Sequence, residues 1–510
     1  MDGRKHLRRP AGSRSGEKGK LILVSNRGPA TLAAKGSDRP AQAVSGLVSA
    51  VEPLINSVGG VWVAWDGQAS DTSGVTRQAV SEFLSLRGIS LSSEEIESYY
   101  HGVANGALWP LCHYFVDKCK FRSRDWEGYR KVNQKFAWAV LDEASPLDWV
   151  WVHDYHLALL PGILRQTVSR QRIAFYWHIP FPQEEVFQLL PWADELLEGL
   201  LGSNLIGFHL ERYATNFLAS CKSILGARVD WEENTVSYKG HVTKVMAVPI
   251  GIEFSVFDQL ARSQTVRTKA SQAREAIGAE QIILGVERLD YTKGIVERLL
   301  AMEALWEKYP EYRGKASLVQ VGVPTRSGLD TYDNLRAEIE RQVARINGRF
   351  GTLGWLPIYY IERPLGREDL CAYYAMADVA LVTPLRDGLN LVAKEYIASR
   401  KDSGVLVLSR FAGAAEELEE ALLVNPYCPD EIREAVRRAL TMPLDEQQRR
   451  LAALRKKIKS HDVHWWLGTF LKAFYETSVS LPIIAGPLSE AQLGPDARPA
   501  DARPVGKLLE

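Results

Sequence analysis

From residue 21 onward, short runs of apolar and often β-branched residues alternate with longer stretches in which apolar positions recur every three or four residues. The short runs read as strands buried on both faces and the longer stretches as helices. Their alternation predicts parallel sheets with crossover helices. In the first half the expected strands are 21–25, 61–64, 149–153, 173–178, 205–209 and 244–248; in the second they are 282–286, 318–321, 358–361, 379–382, 405–408 and 422–424. After Phe254 the strand pattern gives way to a polar helix from Arg262 to Ile277, and a fresh strand opens at Ile282. The chain therefore divides into two Rossmann-like α/β domains, 21–254 and 255–478, a division that a length of 510 residues also favours. The segment from His461 to Tyr475 reads as a helix placed to cross back onto the first domain.

Composition narrows the classes of function. Hydrophobic residues at 46% and charged residues at 24% are ordinary for a globular protein, and 62 basic side chains cancel 62 acidic ones. That balance disfavours nucleic acid or an anionic membrane surface as partner, and no apolar run approaches the length of about 18 residues that a membrane helix needs. The basic stretch 1–20 lacks the apolar core of a secretory signal, and 485–510 repeats Asp-Ala-Arg-Pro; both read as disordered tails. Five scattered cysteines without a CxxC pair fit reduced thiols in the cytoplasm better than a disulfide framework or a zinc site.

Polar residues gather just past the strand ends: Asn26-Arg27, His153-Asp154, His178, Arg288, Thr325-Arg326 and Arg386-Asp387. In open α/β sheets ligands bind at that edge. Glu287-Arg-Leu-Asp-Tyr-Thr-Lys-Gly294 follows a strand and leads into a helix, so Arg288 and Lys293 would stand near a helix N-terminus, a setting suited to a diphosphate. Arg386-Asp-Gly-Leu-Asn-Leu-Val-Ala-Lys-Glu395 again opens a helix, with amides at Leu389, Asn390 and Leu391 available to a ligand. Asp387 can accept from sugar hydroxyls and Glu395 can reach a ribose diol, although Asp387 or Asn390 could equally cap the helix.

His153, His156 and His178 raise the question of a metal, but neither HExxH spacing nor an Asp-x-Asp pair is present, and no metal or other cofactor is expected. The dinucleotide fingerprint and the P-loop are missing as well, which disfavours a dehydrogenase or a P-loop kinase.

In order along the chain, Val24-Ser-Asn-Arg27, Leu108-Trp-Pro110, His153-Asp-Tyr-His156, His178-Ile-Pro-Phe-Pro182, the 287–294 and 386–395 motifs, Arg345-Ile-Asn-Gly348 and Phe411-Ala-Gly-Ala-Ala415 resemble the bacterial trehalose-6-phosphate synthases. These are retaining, metal-independent glycosyltransferases of the GT-B fold, and the resemblance covers roughly residues 21–475. It implies transfer of glucose from a nucleotide-glucose donor, UDP-glucose being expected, to glucose 6-phosphate. A sister family, the glucosylglycerol-phosphate synthases, uses a smaller phosphorylated acceptor on the same scaffold.

The resemblance further implies that Arg288 and Lys293 bind the donor diphosphate and that Asp387 binds the transferred glucose. Leu389, Asn390, Leu391, Val392, Ala393, Lys394 and Glu395 would hold donor sugar and ribose, with Leu365 against the base. Arg27, Tyr100 and Arg326 would take the acceptor phosphate and Asp154 its sugar ring, while Trp109 and His178 enforce the α-anomeric geometry. The family's first glycine loop usually carries Gly-Gly; here Ser45-Gly46 stands in its place, and serine is less free to adopt positive φ. Assembly as a homo-oligomer is compatible with the resemblance.

Overall fold

The computed structural model describes residues 19–28, 59–70, 75–79, 84–325 and 330–480. Among them, the first sheet contains β1 (Leu21–Arg27), β2 (Gly60–Ala69), β3 (Val75–Ala79), β4 (Leu84–Leu91), β5 (Trp149–His153), β6 (Arg172–Tyr176), β7 (Leu205–Phe208), β8 (Arg228–Asp230), β9 (Thr235–Tyr238) and β10 (His241–Ala247). Its order is β3-β4-β2-β1-β5-β6-β7-β10-β9-β8, parallel except for the pairs made by β3, β8 and β9. The second sheet orders β13 (Ile358–Ile361), β12 (Ala316–Val323), β11 (Gln281–Arg288), β14 (Val379–Val382), β15 (Val405–Ser409) and β16 (Leu422–Val424), all parallel. Every expected strand is present within a few residues of its expected ends. β3, β4, β8 and β9 were not expected.

In both sheets the chain starts in the middle, builds outward to one side, then returns to the other. The reversal falls between β1 and β5 in the first sheet and between β11 and β14 in the second. Such a switch point leaves a crevice at the carboxyl ends of the strands, where crossovers depart in opposite directions. Arg27 and Arg288 end β1 and β11, while Asp154 and Asp387 come after β5 and β14, so each switch point carries one of the candidate clusters.

One face of the first sheet packs Ile22, Val24, Val150, Val152, Phe175 and Ile206 against helices including Ser123–Leu141. Its other face is covered by the chain's last described helix, Val463–Ser480. There Trp466 and Phe470 lie 5.6 and 4.9 Å, centroid to centroid, from Trp151. This second core runs without a break into the core of the second sheet. The polar helix expected from Arg262 to Ile277 is present as Gln264–Ile277, and a further helix, Phe254–Arg262, precedes it. Ser263 is extended between them, its hydroxyl accepting from Val266 N, which stops the first helix and caps the second.

Candidate active site

At the end of β11, Asp290 Oδ1 accepts from the amide (3.0 Å) and hydroxyl (2.9 Å) of Thr292 and shapes the tight turn Tyr291–Lys293. Helix Ile295–Lys308 starts immediately after it. The segment leaving β14 is laid across this turn, Leu385 N donating to Thr292 O at 2.8 Å, so that Lys293 Nζ reaches Asp387 Oδ2 at 2.6 Å. Burial raises the Asp387 carboxyl's pKa, but the charge and hydrogen bond of Lys293, with His113 and Asn390 behind them, more than offset it and hold the group below the ordinary carboxylate range.

Asn390, in the left-handed region at φ 80°, bridges two elements. Its Nδ2 donates to Asp387 Oδ2 (3.0 Å), and its Oδ1 caps helix Leu391–Ser399 by accepting from Ala393 N (3.1 Å). The ambiguity over which residue caps this helix is thereby resolved, and Asp387 stays available to a ligand. Bonds from Ala414 N to Leu389 O (2.7 Å) and from Gly413 N to Asp387 O (3.1 Å) brace the loop from below. Two helix N-termini therefore open near the Lys293–Asp387 pair, and their partial positive charge favours a bound anion.

The other residues expected on the donor side are distributed unevenly. Leu389 and Ala393 are buried, while Leu391 and Val392 are partly so. Glu395 accepts from Tyr374 OH at 2.8 Å, and burial pushes its carboxyl pKa up. Lys394 is turned away: its ammonium is buried, bonded to Ile250 O at 3.1 Å and paired with Glu417, so only its backbone is left to face a donor. Leu365 lies in the loop between β13 and helix Arg367–Met376, against the second sheet's core. Ser45, Gly46 and Arg326 lie outside the described residues.

On the first sheet, Trp62 Nε1 donates to Ser25 Oγ (2.8 Å), which donates to Arg27 O (2.7 Å), fixing the end of β1. Tyr99 OH donates to Asn26 Oδ1 at 3.0 Å. Arg27 is exposed, with its guanidinium carbon 5.8 Å from the Trp65 ring and 5.7 Å from that of Tyr100. Asp154 sits at φ 74°, ψ 159°, a region that residues with a side chain rarely occupy. Its Oδ1 accepts from Tyr155 N (3.0 Å) and His178 N (3.3 Å), tying the ends of β5 and β6 together. Tyr100 and Trp109 come from Ile96–Leu108 and the turn that follows, a segment wound wider than an α-helix, with Trp109 N–H reaching back five residues to Ala104 O. Such widened turns recur at functional sites.

The two clusters face each other. Arg288 stands over the Trp109 ring at 5.4 Å, Phe115 meets Tyr291 at 5.1 Å, and Arg386 covers the Tyr114 ring at 4.0 Å. Gly388 comes so close to the first domain that a Cβ there would stand 2.8 Å from His178 O. Three of the five non-glycine residues with positive φ among the described residues, Tyr114, Asp154 and Asn390, line this cleft, which places the backbone strain where a ligand would sit. Tyr99, Trp65, His113 and Tyr114 had no separate signal in the sequence. They become site residues only when the two strand edges are brought face to face.

Behind the cleft lies a set of uncharged histidines. Burial lowers His113, His153 and His209 from the ordinary 6.5 to about 3, and burial, then neighbouring His153 and His209, puts His178 well below its ordinary value. Between pH 6.5 and 3 the unfolded chain binds protons that these sites refuse when folded. Their stabilisation is therefore complete above the unfolded value and is lost as the pH falls toward the folded values. Each contributes a slope of at most about 1.4 kcal/mol per pH unit. We expect the calorimetric Tm to drop steadily from pH 7 to pH 4.5; a flat profile over that range would count against this burial.

Among the described residues no group of three or more His, Cys, Asp or Glu side chains is arranged to hold a metal ion, and no helix is long and apolar enough to cross a membrane. The profile of Glycosyltransferase family 20 matches residues 19–476. The chain belongs to this family. Its relatives include the trehalose-6-phosphate synthase of Mycolicibacterium vanbaalenii, 41% identical over 89% of this chain and 95% of that protein. The bifunctional trehalose-6-phosphate synthase/phosphatase of Thermoproteus tenax is 42% identical over 89% of this chain, which spans 63% of that longer protein. Among solved structures, a UDP-forming α,α-trehalose-phosphate synthase from Burkholderia xenovorans in complex with glucose-6-phosphate superposes with a TM-score of 0.84, at 35% identity, covering 90% of this chain and all of that one. The family's GT-B architecture accounts for the two sheets and the cleft between them.

Proposed function

We propose that this glycosyltransferase moves glucose from UDP-glucose to glucose 6-phosphate with retention, making α,α-trehalose 6-phosphate. The carrying observation is the meeting of two unlike clusters across one cleft. On one side a cation–carboxylate pair, Lys293–Asp387, stands near two helix N-termini; on the other, Arg27 and Tyr100 stand close to each other with Asp154 on the neighbouring strand end. The first is suited to a sugar diphosphate and the second to a phosphorylated sugar.

In this reading Arg288, Lys293 and the amides of Leu389–Glu395 neutralise the donor diphosphate, Asp387 holds the transferred glucose, and Leu365 lies against the base. Arg27, Tyr100 and Arg326 bind the acceptor phosphate, Asp154 binds its ring, and Trp109 and His178 hold the geometry of the α-linkage. In this reading Asp387 serves the hydroxyls of the transferred glucose, Asp154 the acceptor ring and Glu395 the ribose, so no carboxylate is assigned to the anomeric carbon as a covalent nucleophile. A front-side route remains. The bond from glucose C1 to the β-phosphate oxygen breaks while the acceptor hydroxyl oxygen bonds C1 on the same face. The hydroxyl proton passes to the departing phosphate. The protein's share is to stabilise charge on the leaving diphosphate, with no metal required. The five cysteines are free thiols, in keeping with a cytoplasmic enzyme.

Glucose 6-phosphate should be used in preference to glycerol 3-phosphate when nucleotide release is followed with one donor. Arg27→Ala should raise the KM for glucose 6-phosphate by about tenfold or more while changing kcat less, since a charged hydrogen bond to the acceptor is lost. Unchanged acceptor kinetics would remove the basis for this substrate.

A further inference from the structure

The ring of His178 is in contact with a second histidine that the proposed reaction does not use. His153, at the end of β5, is fully buried, and its Nδ1 lies 3.0 Å from His178 Nε2. The two rings are nearly parallel, at 21° with centroids 5.3 Å apart, and Trp151 lies 4.5 Å from the His153 ring on its own strand. Both imidazoles are neutral, so each carries one N–H, and the short contact needs one ring to donate and the other to accept.

The other nitrogen of His153 decides the direction. Nε2 is buried and has no hydrogen-bond partner. A proton there would be a buried N–H without an acceptor, which is a rarer and costlier orphan than a bare buried nitrogen. The proton of His153 therefore belongs on Nδ1, pointing at His178. His178 Nε2 must accept it, which leaves the proton of His178 on Nδ1.

We propose that His153 is a positioning residue that locks His178 in its Nδ1–H tautomer, so that His178 presents a hydrogen-bond donor, and never an acceptor, to the sugar in the cleft. His209 also packs edge-on against the His178 ring, centroids 5.4 Å apart, and limits its movement. A hydroxyl of the bound glucose would then have to accept from His178. A sugar carrying fluorine at the contacted position would keep a weak form of that contact, and one carrying hydrogen would lose it.

The kinetic consequence rests on His178 facing substrate, as the proposed function has it; the tautomer itself does not. It can be read without substrate by long-range proton–nitrogen correlation NMR on protein labelled with 15N-histidine, the His178 signals being assigned by their loss in His178→Gln. The expected result is a protonated Nδ1 and a bare Nε2 throughout pH 6 to 8. A proton on Nε2 would overturn the proposal.

His153→Phe keeps an aromatic ring but removes the donor. It should release His178 into a mixture of tautomers and lower kcat about tenfold, with the KM for glucose 6-phosphate little changed. His153→Asn, whose amide nitrogen falls where Nδ1 was, should restore both readouts. An unaltered tautomer and rate in His153→Phe would also overturn the proposal, and if that variant does not fold, the wild-type spectrum alone decides. The expected tautomer in a protein that makes no trehalose phosphate would leave this inference standing and sink the functional reading.

Discussion

Replacing Lys293 with methionine is expected to lower kcat/KM for the nucleotide sugar by a hundredfold or more, about 3 to 4 kcal/mol of transition-state stabilisation. Two losses combine in this variant. The ammonium that would meet the leaving diphosphate is gone, and Asp387, 14% exposed at its side chain, keeps its carboxylate with only Asn390 as a neutral partner. The strongest influence that holds Asp387 below the ordinary carboxylate range is thereby removed, so its pKa rises and it becomes a poorer acceptor for sugar hydroxyls near neutral pH. Lys293→Met/Asp387→Asn should regain the thermal stability lost by the single variant, because no charge is left buried alone, and should stay as inactive. Steady-state kinetics with calorimetry checks both halves; a single variant within a few-fold of the wild-type rate would contradict the assignment.

The largest stability effect is expected in the first turn of the helix that follows Lys293. Arg298 is completely buried and clamps Glu287 with two bonds of 2.6 Å, while also donating to Gln320 (2.9 Å) and Thr383 (3.2 Å). Residue 285 has to be glycine to admit this guanidinium, since a Cβ there would overlap Arg298 Nη1 and Gln320 Oε1. Arg298→Met strands the Glu287 carboxylate in the core and should cost about 3 to 5 kcal/mol. Glu287→Met/Arg298→Met removes both charges and should recover most of that loss, because a buried ion pair gains little over apolar packing of similar volume. Urea denaturation of the three proteins measures it. Equal destabilisation by the single and the double change would contradict the account.

Much of the architecture could be read in advance because central parallel strands such as β5, β11 and β14 are continuous apolar runs, and little else gives that pattern. The strands that escaped notice are of another kind. β4, Leu-Ser-Leu-Arg-Gly-Ile-Ser-Leu, is broken by Arg87 and Gly88, and Arg87 is accommodated only because Asp142 and Glu143 come from elsewhere to pair with it. β8 and β9 are a short, half-exposed hairpin added at the sheet edge, where burial imposes little pattern.

The site followed the same division. Arg288, Lys293, Asp387 and Asp154 stand out as candidates because turn-forming, charged motifs come after strands. The positioning groups do not: the Ser25 and Asn26 bonds, the widened helix under Tyr100 and Trp109, and the His153–His178 contact are made between segments far apart in sequence. Lys394 shows the converse, a charged residue inside the 386–395 motif whose side chain is spent on joining helix Leu391–Ser399 to Ile250.

The identity and stereochemistry of the product separate this reaction from its alternatives. The most direct measurement is NMR of the product formed from UDP-glucose labelled with 13C at C1 and from unlabelled glucose 6-phosphate, in the presence of a chelator. The expected result is a single labelled product with an α-configured C1 joined through oxygen to the anomeric carbon of glucose 6-phosphate, formed at the same rate with and without chelator. A β-configured product, free glucose alone, or activity that disappears with chelator would contradict it.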